Sequence, residues 1–493
     1  MAQLSESEEI QSTSHLPWNI IPYNKAGNQS KFPLVRPKES ERKFISPIVE
    51  EIIKKITLNM KDKDLARLFE NCWPNTLDTT IAWFDDSKGY PRTFIVTGDI
   101  PAMWLRDSTN QIISYVPYAK DDEKLCKLIL GIIYMQAESI VKDPYANAYY
   151  APPESKLPHP ENPWSTTDKS TPPISNVTWE KKWELDSLAS FLKLSYNYWS
   201  HTKDDGFLTS KIWLEAVTTV LNIMEKQQLG TMQEFGNAAY KFSRLTRTTT
   251  ETLMMEGIGA PVRRTGLVKS QFRPSDDSTT FPFLIPANCL ASVELSHLHE
   301  MIKLTSPDIA KQAKNLSRAI NDAIYYNAII SHKEFKNVFA YEVDGYGSSN
   351  LMDDANIPSL LSLPYLGFID KNDKIYLKTR ELILSDWNKF WFGGMKFHGV
   401  GSPHTGLGYI WPMSLCMMIL TSANDREILE TLQILKESTA MTGLMHESFY
   451  YNNPNNYTRP WFAWANGLFG ETILHLAKEK PYLIMDDLDD FKI

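Results

Sequence analysis

Apolar residues recur three and four positions apart through most of the chain, the spacing that gathers them on one face of an α-helix. PIVEEIIKKITL (47–58) and KDLARLFENCW (63–73) show it first. It returns at 122–141, 184–200, 209–228, 283–304, 308–328, 376–386, 408–421, 426–437 and 462–478. With shorter candidates this makes about a dozen helices. Strict alternation is rare, and TFIVTG (93–98) and NVFAYEV (337–343) are the best strand candidates. The pattern predicts an all-α fold.

Between the helices the periodicity lapses for long stretches. Residues 143–181 hold eight prolines and two tryptophans with hardly any helical pattern. Residues 257–283 and 338–358 are punctuated by Gly, Pro, Asp and Ser. Irregular segments of such length inside a compact domain usually carry function. No shift in composition marks a linker. The economical reading is a single helical domain over 46–480, its long loops gathered on one face. A polar, Pro-containing extension (1–45) precedes it and is expected to be partly extended. An acidic tail (481–493) follows, and its MDDLDDFKI end (485–493) is expected to be solvated.

Composition adds exclusions rather than a function. Of 493 residues, 43% are hydrophobic and 22% charged, which is ordinary for a globular protein. The formal net charge is -8 and sustained basic runs are missing, which argues against nucleic acid as a partner. Cys72, Cys126, Cys289 and Cys416 lie far apart with no CxxC, so they read as isolated thiols. The first residues lack signal-peptide features, and no apolar run reaches ~18 residues. A cytoplasmic protein without membrane insertion is therefore expected, with a secretory-pathway or vacuolar location as the alternative. The sequons at Asn28, Asn176, Asn315 and Asn456 carry little weight, since so short a motif recurs by chance.

The long loops share one chemistry: carboxylates or histidines beside aromatic rings. GDIPAMWLRDS sets Arg106 and Asp107 after Trp104. WELDSLA sets Glu184 and Asp186 beside Trp183. RPSDDSTTFPFLIP has Asp276 and Asp277, and YEVDGYGSSNLMDDANIP has Asp354. GVGSPHTGLGYIWP has His404 and Trp411, and the stretch from 443 to 471 has His446, Glu447, Arg459, Trp461 and Trp464. A sugar offers hydroxyls at its rim and an apolar C–H face; carboxylates accept from the first and rings stack on the second. Two carboxyl groups flanking a glycosidic bond make such a site a hydrolase, one protonated and one ionised. Each motif alone has a structural explanation. Asp107 can be a helix N-cap, Asp276 and Asp277 a turn, Glu184 and Asp186 acids in a first helical turn, and Trp461 and Trp464 core. Their joint occurrence in separate loops favours the site, but spacing alone does not say which two carboxyls react. Competing motifs are weak. His297 and His299 diverge on a helix, and HExxH, GxSxG and a phosphate loop are missing.

The motifs GDIPAMWLRDS, ELDSL, RPSDD with LIPAN, MDDANIPSLLSLPYL, GSPHT, MHESF and TRPWFAWAN, in this order, resemble glycoside hydrolase family 125, the exo-α-1,6-mannosidases. The resemblance spans roughly residues 50–478. It implies an (α/α)6 barrel of six inner and six outer helices, with the site among loops at one end. It implies hydrolysis of a terminal non-reducing α-1,6-linked mannose with inversion, an α-mannoside or mannose-containing glycan as the ligand, and no metal or other cofactor. By motif, Asp276 is the implied general acid and Glu447 the general base. Arg106 and Asp107 are implied to contact sugar hydroxyls, and Glu184, Asp186, Asp354, His404, His446 and Arg459 are further candidates for substrate binding. As acid, Asp276 needs a raised pKa, expected from burial or from its neighbour Asp277. Another (α/α)6 enzyme of glucosidase or trehalase type is the main rival, and a non-catalytic mannoside-binding protein the second. The long 143–181 loop and the basic PVRRTGLVKSQF stretch bear on the leaving group.

Overall fold

The computed structural model describes residues 30–486. Among them, twelve α-helices have eight residues or more. In chain order these are α1 (Pro47–Asn59), α2 (Lys63–Cys72), α3 (Leu105–Ile112), α4 (Glu123–Lys142), α5 (Leu185–Thr202) and α6 (Lys211–Lys226). They continue with α7 (Ile285–Ile302), α8 (Pro307–Asn327), α9 (Lys374–Ile383), α10 (Pro412–Leu420), α11 (Asp425–Glu437) and α12 (Ala463–Glu479). The fold is mostly helical, as the periodicity predicts.

Two kinds of helix are present. Helices α1, α2, α6, α8, α9 and α11 are amphipathic, with one buried stripe and a solvated face. Several begin at an ordinary cap: the side chains of Asp62, Asp373 and Asn424 accept from the first free N–H groups of α2, α9 and α11, and Asp122 does so for α4. Helices α3, α5, α7, α10 and α12 are buried over most of their length, and all eight residues of α3 are. Their N-cap residues are Trp104, Glu184, Leu284, Trp411 and Phe462, and none makes a side-chain cap hydrogen bond. Buried helices that start without a cap leave N–H groups and a positive dipole end for polar neighbours. These five starts carry or adjoin the motifs picked out above.

Helix α3 packs on α5, α5 on α7, α10 on α12, and α12 returns to α3. The amphipathic helices and α4 pack outside this set: α4 on α6, α8 on α7, α11 on α10, and α2 on α12. The C-terminal end of the described chain meets the turn between α1 and α2. Met60 bridges Met485, Lys61 N donates to Ile484 O at 2.9 Å, and Asp486 N donates to Asn59 O at 2.8 Å.

Short antiparallel sheets fasten the long loops at the starts of the buried helices. Met103–Trp104 pairs with Ala148–Tyr149, which pairs with Thr178–Glu180. Phe283–Leu284 pairs with Glu342–Val343, and Tyr409–Ile410 with Phe449–Tyr450. The loop 143–181 is therefore tied down despite its prolines. Expected and observed elements differ in detail. The helix expected from 408 begins at Pro412, because Tyr409–Ile410 is a strand. NVFAYEV divides into Lys336–Phe339 and Glu342–Val343, and TFIVTG contributes only to Arg92–Ile95. Of the N-terminal extension, residues 30–45 are described. Phe32 and Val35 join the core, and Arg36 pairs with Glu50 at 2.6 Å and Asp78 at 2.8 Å. The expectations for 1–29 and 487–493 lie outside the described residues. The four cysteines are free thiols.

Candidate active site

A pocket enclosing about 470 Å³, open mouth included, sits where α3, α10 and α12 begin. Trp104, Trp411, Phe462 and Trp464 supply its apolar wall; Arg106, Asp107, Asp276, Asn356, His404, Glu447 and Arg459 supply its polar one. Six of the ten residues singled out from sequence thus line one cavity. Glu184, Asp186, Asp354 and His446 do not: each is about 1% exposed or less and stands behind the wall.

Arg106 is the hub of the polar wall. Its guanidinium donates to Glu184 Oε2 at 2.6 Å and to Asp186 Oδ2 and Asp276 Oδ1 at 3.3 Å each. It stands 3.3 Å from Asp107 Oδ2 and lies over the Trp464 ring, 5.6 Å from its centroid. Four carboxylates around one cation explain why Arg106 follows an apolar stretch: it belongs to α3 and must be buried to reach them. Asp107 lies in the first turn of α3, so it is not the cap of that helix. Burial, opposed by Arg106, pushes Asp107 up to about 6, and Asp186 likewise to about 6. Among the described residues the Trp104 indole N–H finds no acceptor and Asp107 Oδ2 no hydrogen-bond donor. Buried polar atoms of that kind usually have a partner, and a hydroxylated ligand offers one.

Asp276 occupies the tip of a tight turn. Its φ is +66°, a left-handed conformation that is strained for a residue with a side chain. Arg273 N donates to Asp277 O at 2.8 Å, and Asp276 N donates back to Arg273 O at 2.9 Å. Beneath, the Arg273 guanidinium pairs with the fully buried Glu342 at 2.7 Å. The turn leaves Asp276 partly exposed to the pocket and sends Asp277 the other way, where it accepts from Ser275 Oγ at 3.0 Å and stands 3.4 Å from His404 Nδ1.

The expected cause of a raised Asp276 pKa is not realised. Burial resists ionisation of its carboxyl, but Arg106, a hydrogen bond from Glu184, Lys182 and His404 together hold it below the ordinary carboxylate range. Its neighbour Asp277 is itself lowered by His404 against burial. The raised group is Glu184: burial and the charges of Asp276 and Asp186 outweigh Arg106 and push it well above the ordinary range.

Glu447 hangs on the opposite loop. Thr458 Oγ1 donates to its Oε2 at 2.7 Å, and Arg459 Nε donates to its Oε1 at 3.0 Å. Arg459 also pairs with Asp99 at the pocket rim. His446 serves this loop from behind: its ring accompanies the Arg459 carbonyl at 2.9 Å and stacks on Tyr457 at 3.9 Å. Asp354 likewise accepts from Asn356 N and Nδ2 at 3.0 Å and from Ser402 Oγ at 3.0 Å, which aims Asn356 into the pocket.

Sequence reasoning missed several members. Asn147 donates to Glu184 and Asp276 at 3.2 Å each, and Lys182 is a buried cation held by Glu251 at 2.8 Å. Asn356 and Asp99 were read only as parts of motifs. Trp464 had a core explanation and turns out to wall the pocket, whereas Trp461 precedes α12 and packs over Gly98. Gly98 has φ +128°, and a Cβ there would stand 2.9 Å from the Trp461 ring.

Residues 62–474 match the family pattern described as metal-independent alpha-mannosidase (GH125). The chain is 46% identical over 487 residues to the meiotically up-regulated gene 157 protein of Schizosaccharomyces pombe, covering 95% of each chain. Among solved structures it is similar to a Streptococcus pneumoniae protein with 35% identity and a TM-score of 0.81, covering 88% of this chain and 99% of that one. That protein is described within a family of metal-independent alpha mannosidases and was solved in a non-productive complex with α-1,6-mannobiose. A bacterial glucoamylase bound to acarbose shares the fold at 12% identity and a TM-score of 0.51, over 87% of this chain and 58% of that one.

Proposed function

Since the chain belongs to the GH125 metal-independent alpha-mannosidases, we propose that it removes a terminal non-reducing α-1,6-linked mannose by single displacement, with inversion. The observation that carries this reading is that Asp276 and Glu447, from loops far apart in the chain, line the same small pocket with indole walls. The α-1,6-mannobiose held by the S. pneumoniae relative supports the linkage. A pocket of this size suits one terminal sugar rather than a chain passing through.

The barrel is part of the proposal. Helices α3, α5, α7, α10 and α12 supply five inner positions, and the turn segment 359–368 the sixth. In that segment Tyr365 donates to Glu471 of α12 at 3.2 Å and lies under the Lys193 ammonium of α5, 4.9 Å from its ring centroid.

In the mechanism, Asp276 passes a proton to the glycosidic oxygen as the bond to the anomeric carbon breaks. Glu447 takes a proton from a water whose oxygen attacks that carbon from the other face. Inversion needs the two carboxyls ~6.5–9.5 Å apart to admit that water. Arg106, Asp107 and Asn356 hold hydroxyls, and Trp464 or Trp411 faces the ring.

Proton NMR of the protein with α-1,6-mannobiose tests the reading. β-Mannose is expected first, and none with Glu447→Gln. Asp276→Asn and Glu447→Gln should each lower kcat by about 10²–10⁴-fold or more, with KM within a few-fold. Early α-mannose would overturn inversion. Cleavage of glucose disaccharides instead would favour the glucosidase rival, and binding without cleavage a mannoside-binding protein.

A further inference from the structure

We propose that Glu184 and Asp276 share a single proton, and that Glu184 supplies the proton Asp276 delivers to the leaving oxygen. The inference rests on Asp276 being the acid. The two carboxyls are held side by side, both accepting from Asn147 Nδ2 and both gripped by the Arg106 guanidinium. Two ionised carboxylates held side by side offer each other acceptors and no donor, and one proton between them relieves the repulsion. Arg106 and Asn147 fix the pair from outside. Arg106 reaches Glu184 at 2.6 Å and Asp276 at 3.3 Å, and Asn147 Nδ2 stands 3.2 Å from each. Ser187 Oγ donates to Glu184 Oε2 at 2.9 Å.

Burial decides where the proton rests. The Glu184 side chain has no exposure, while that of Asp276 is 23% exposed toward the pocket. The cations Lys182 and His404 act on Asp276, and burial without such help acts on Glu184. At rest the proton therefore sits on Glu184 and Asp276 is an anion. Glu184 cannot touch substrate, so it is a positioning residue for the proton.

The step balances. As the glycosidic C–O bond breaks, its electron pair stays on oxygen. The single shared proton passes from Glu184 to Asp276 and on to that oxygen in the same event, and the leaving group departs as a neutral alcohol. The pair is left with two negative charges facing Arg106 and Lys182, and one proton from solvent restores it through the exposed Asp276 edge. The proton taken from water by Glu447 leaves to solvent, so no net proton is made or lost.

Glu184→Gln in the full chain tests this. The substitution keeps the shape and a hydrogen bond but removes the shared proton. Hydrolysis of α-1,6-mannobiose should fall about 10²–10³-fold, while dinitrophenyl α-mannoside, whose leaving group needs no proton, falls far less. A protonated-carboxyl infrared band of the wild type at neutral pH should be lost in the variant. Equal losses on both substrates, or none on either, would overturn the proposal, as would an unchanged band. Should Glu184→Gln fail to fold, Ser187→Ala removes only the hydroxyl donated to Glu184. Glu184 then holds its proton more tightly, and mannobiose should slow severalfold more than the aryl mannoside; equal slowing overturns the proposal. Wild-type protein that cleaves neither compound sinks the mannosidase reading, and the infrared band still decides the shared proton.

Discussion

His404 brings a positive charge to the pocket throughout the neutral range. Burial favours the uncharged ring, but Asp277 at 3.4 Å, with Glu447 and Asp276 nearby, raises its pKa from 6.5 to about 9. A group raised on folding stabilises the folded state fully below its unfolded pKa and loses that contribution as pH rises through the folded one. The window here is pH 6.5 to 9, and the shift corresponds to about 3 kcal/mol. Melting temperature should therefore decline across that window in the wild type and less in His404→Gln. The kcat/KM profile should show an alkaline limb near pH 9 that the variant lacks; an unchanged limb would assign it elsewhere. Such pairings were only partly legible in the sequence. RPSDD and MHES placed Asp276 and Glu447 by motif, and GSPHT placed His404. That Asp277 would turn away toward His404 while Asp276 faced the cavity follows from the positive φ at 276, which no spacing rule announces. Glu184 was read as a sugar contact because acids beside tryptophan suggest one. Its true partners, Arg106 and Asn147, arrive from α3 and from the loop after α4.

At the scale of the element, helix α12 meets α2 too closely for any side chain at one point. A Cβ on Gly470 would stand 2.4 Å from Trp73 Cδ1 and 2.7 Å from its Cβ. Trp73 cannot retreat: it is fully buried, stacked on Phe69 and Tyr115 at 5.3 Å each, and donates to Ser114 Oγ at 3.1 Å. Gly470→Ala should therefore destabilise the protein by about 1–3 kcal/mol through overpacking, read by denaturant midpoint, with kcat and KM within a few-fold. A neutral or stabilising result would mean that the crowding at Trp73 relaxes freely. The elements most legible in sequence were those with one dry face and a cap, such as α2 behind Asp62 and α11 behind Asn424. Helix α3 was not announced, because a helix buried on all sides with Arg106, Asp107, Asn110 and Gln111 inside it breaks the apolar period. The two-residue strands at the pocket are too short for alternation to register. The segment 359–368, proposed as the sixth inner position, is not a helix. Pro358 and Pro364 bound its run of leucines, and the Asp353 carboxyl accepts from Leu360 N at 2.8 Å and Leu361 N at 2.9 Å.

Across the whole molecule, charge is balanced at the site by side chains drawn from every part of the chain. Arg106 comes from α3, Lys182 and Glu184 precede α5, Asp276 precedes α7, Asn356 precedes the turn segment, His404 precedes α10, and Glu447 and Arg459 precede α12. Six stretches with one chemistry were visible in sequence, but their convergence depends on the last buried helix returning to the first. Convergence of so many carboxylates raises the question of what offsets them. In many hydrolases a divalent cation does so. In this protein Arg106 faces Asp107, Glu184, Asp186 and Asp276, Arg459 faces Glu447 and Asp99, and His404 faces Asp277. Among the described residues no group of three or more His, Cys, Asp or Glu side chains could hold a metal ion. Fixed cations of this kind are not removed by a chelator. Prolonged dialysis against EDTA should therefore leave both kcat on α-1,6-mannobiose and the melting temperature unchanged, whereas Arg106→Met should lower both, because it leaves buried carboxylates unpaired at a cost of about 3–5 kcal/mol. Activity lost to EDTA and regained with a divalent cation would show that the arginines do not suffice.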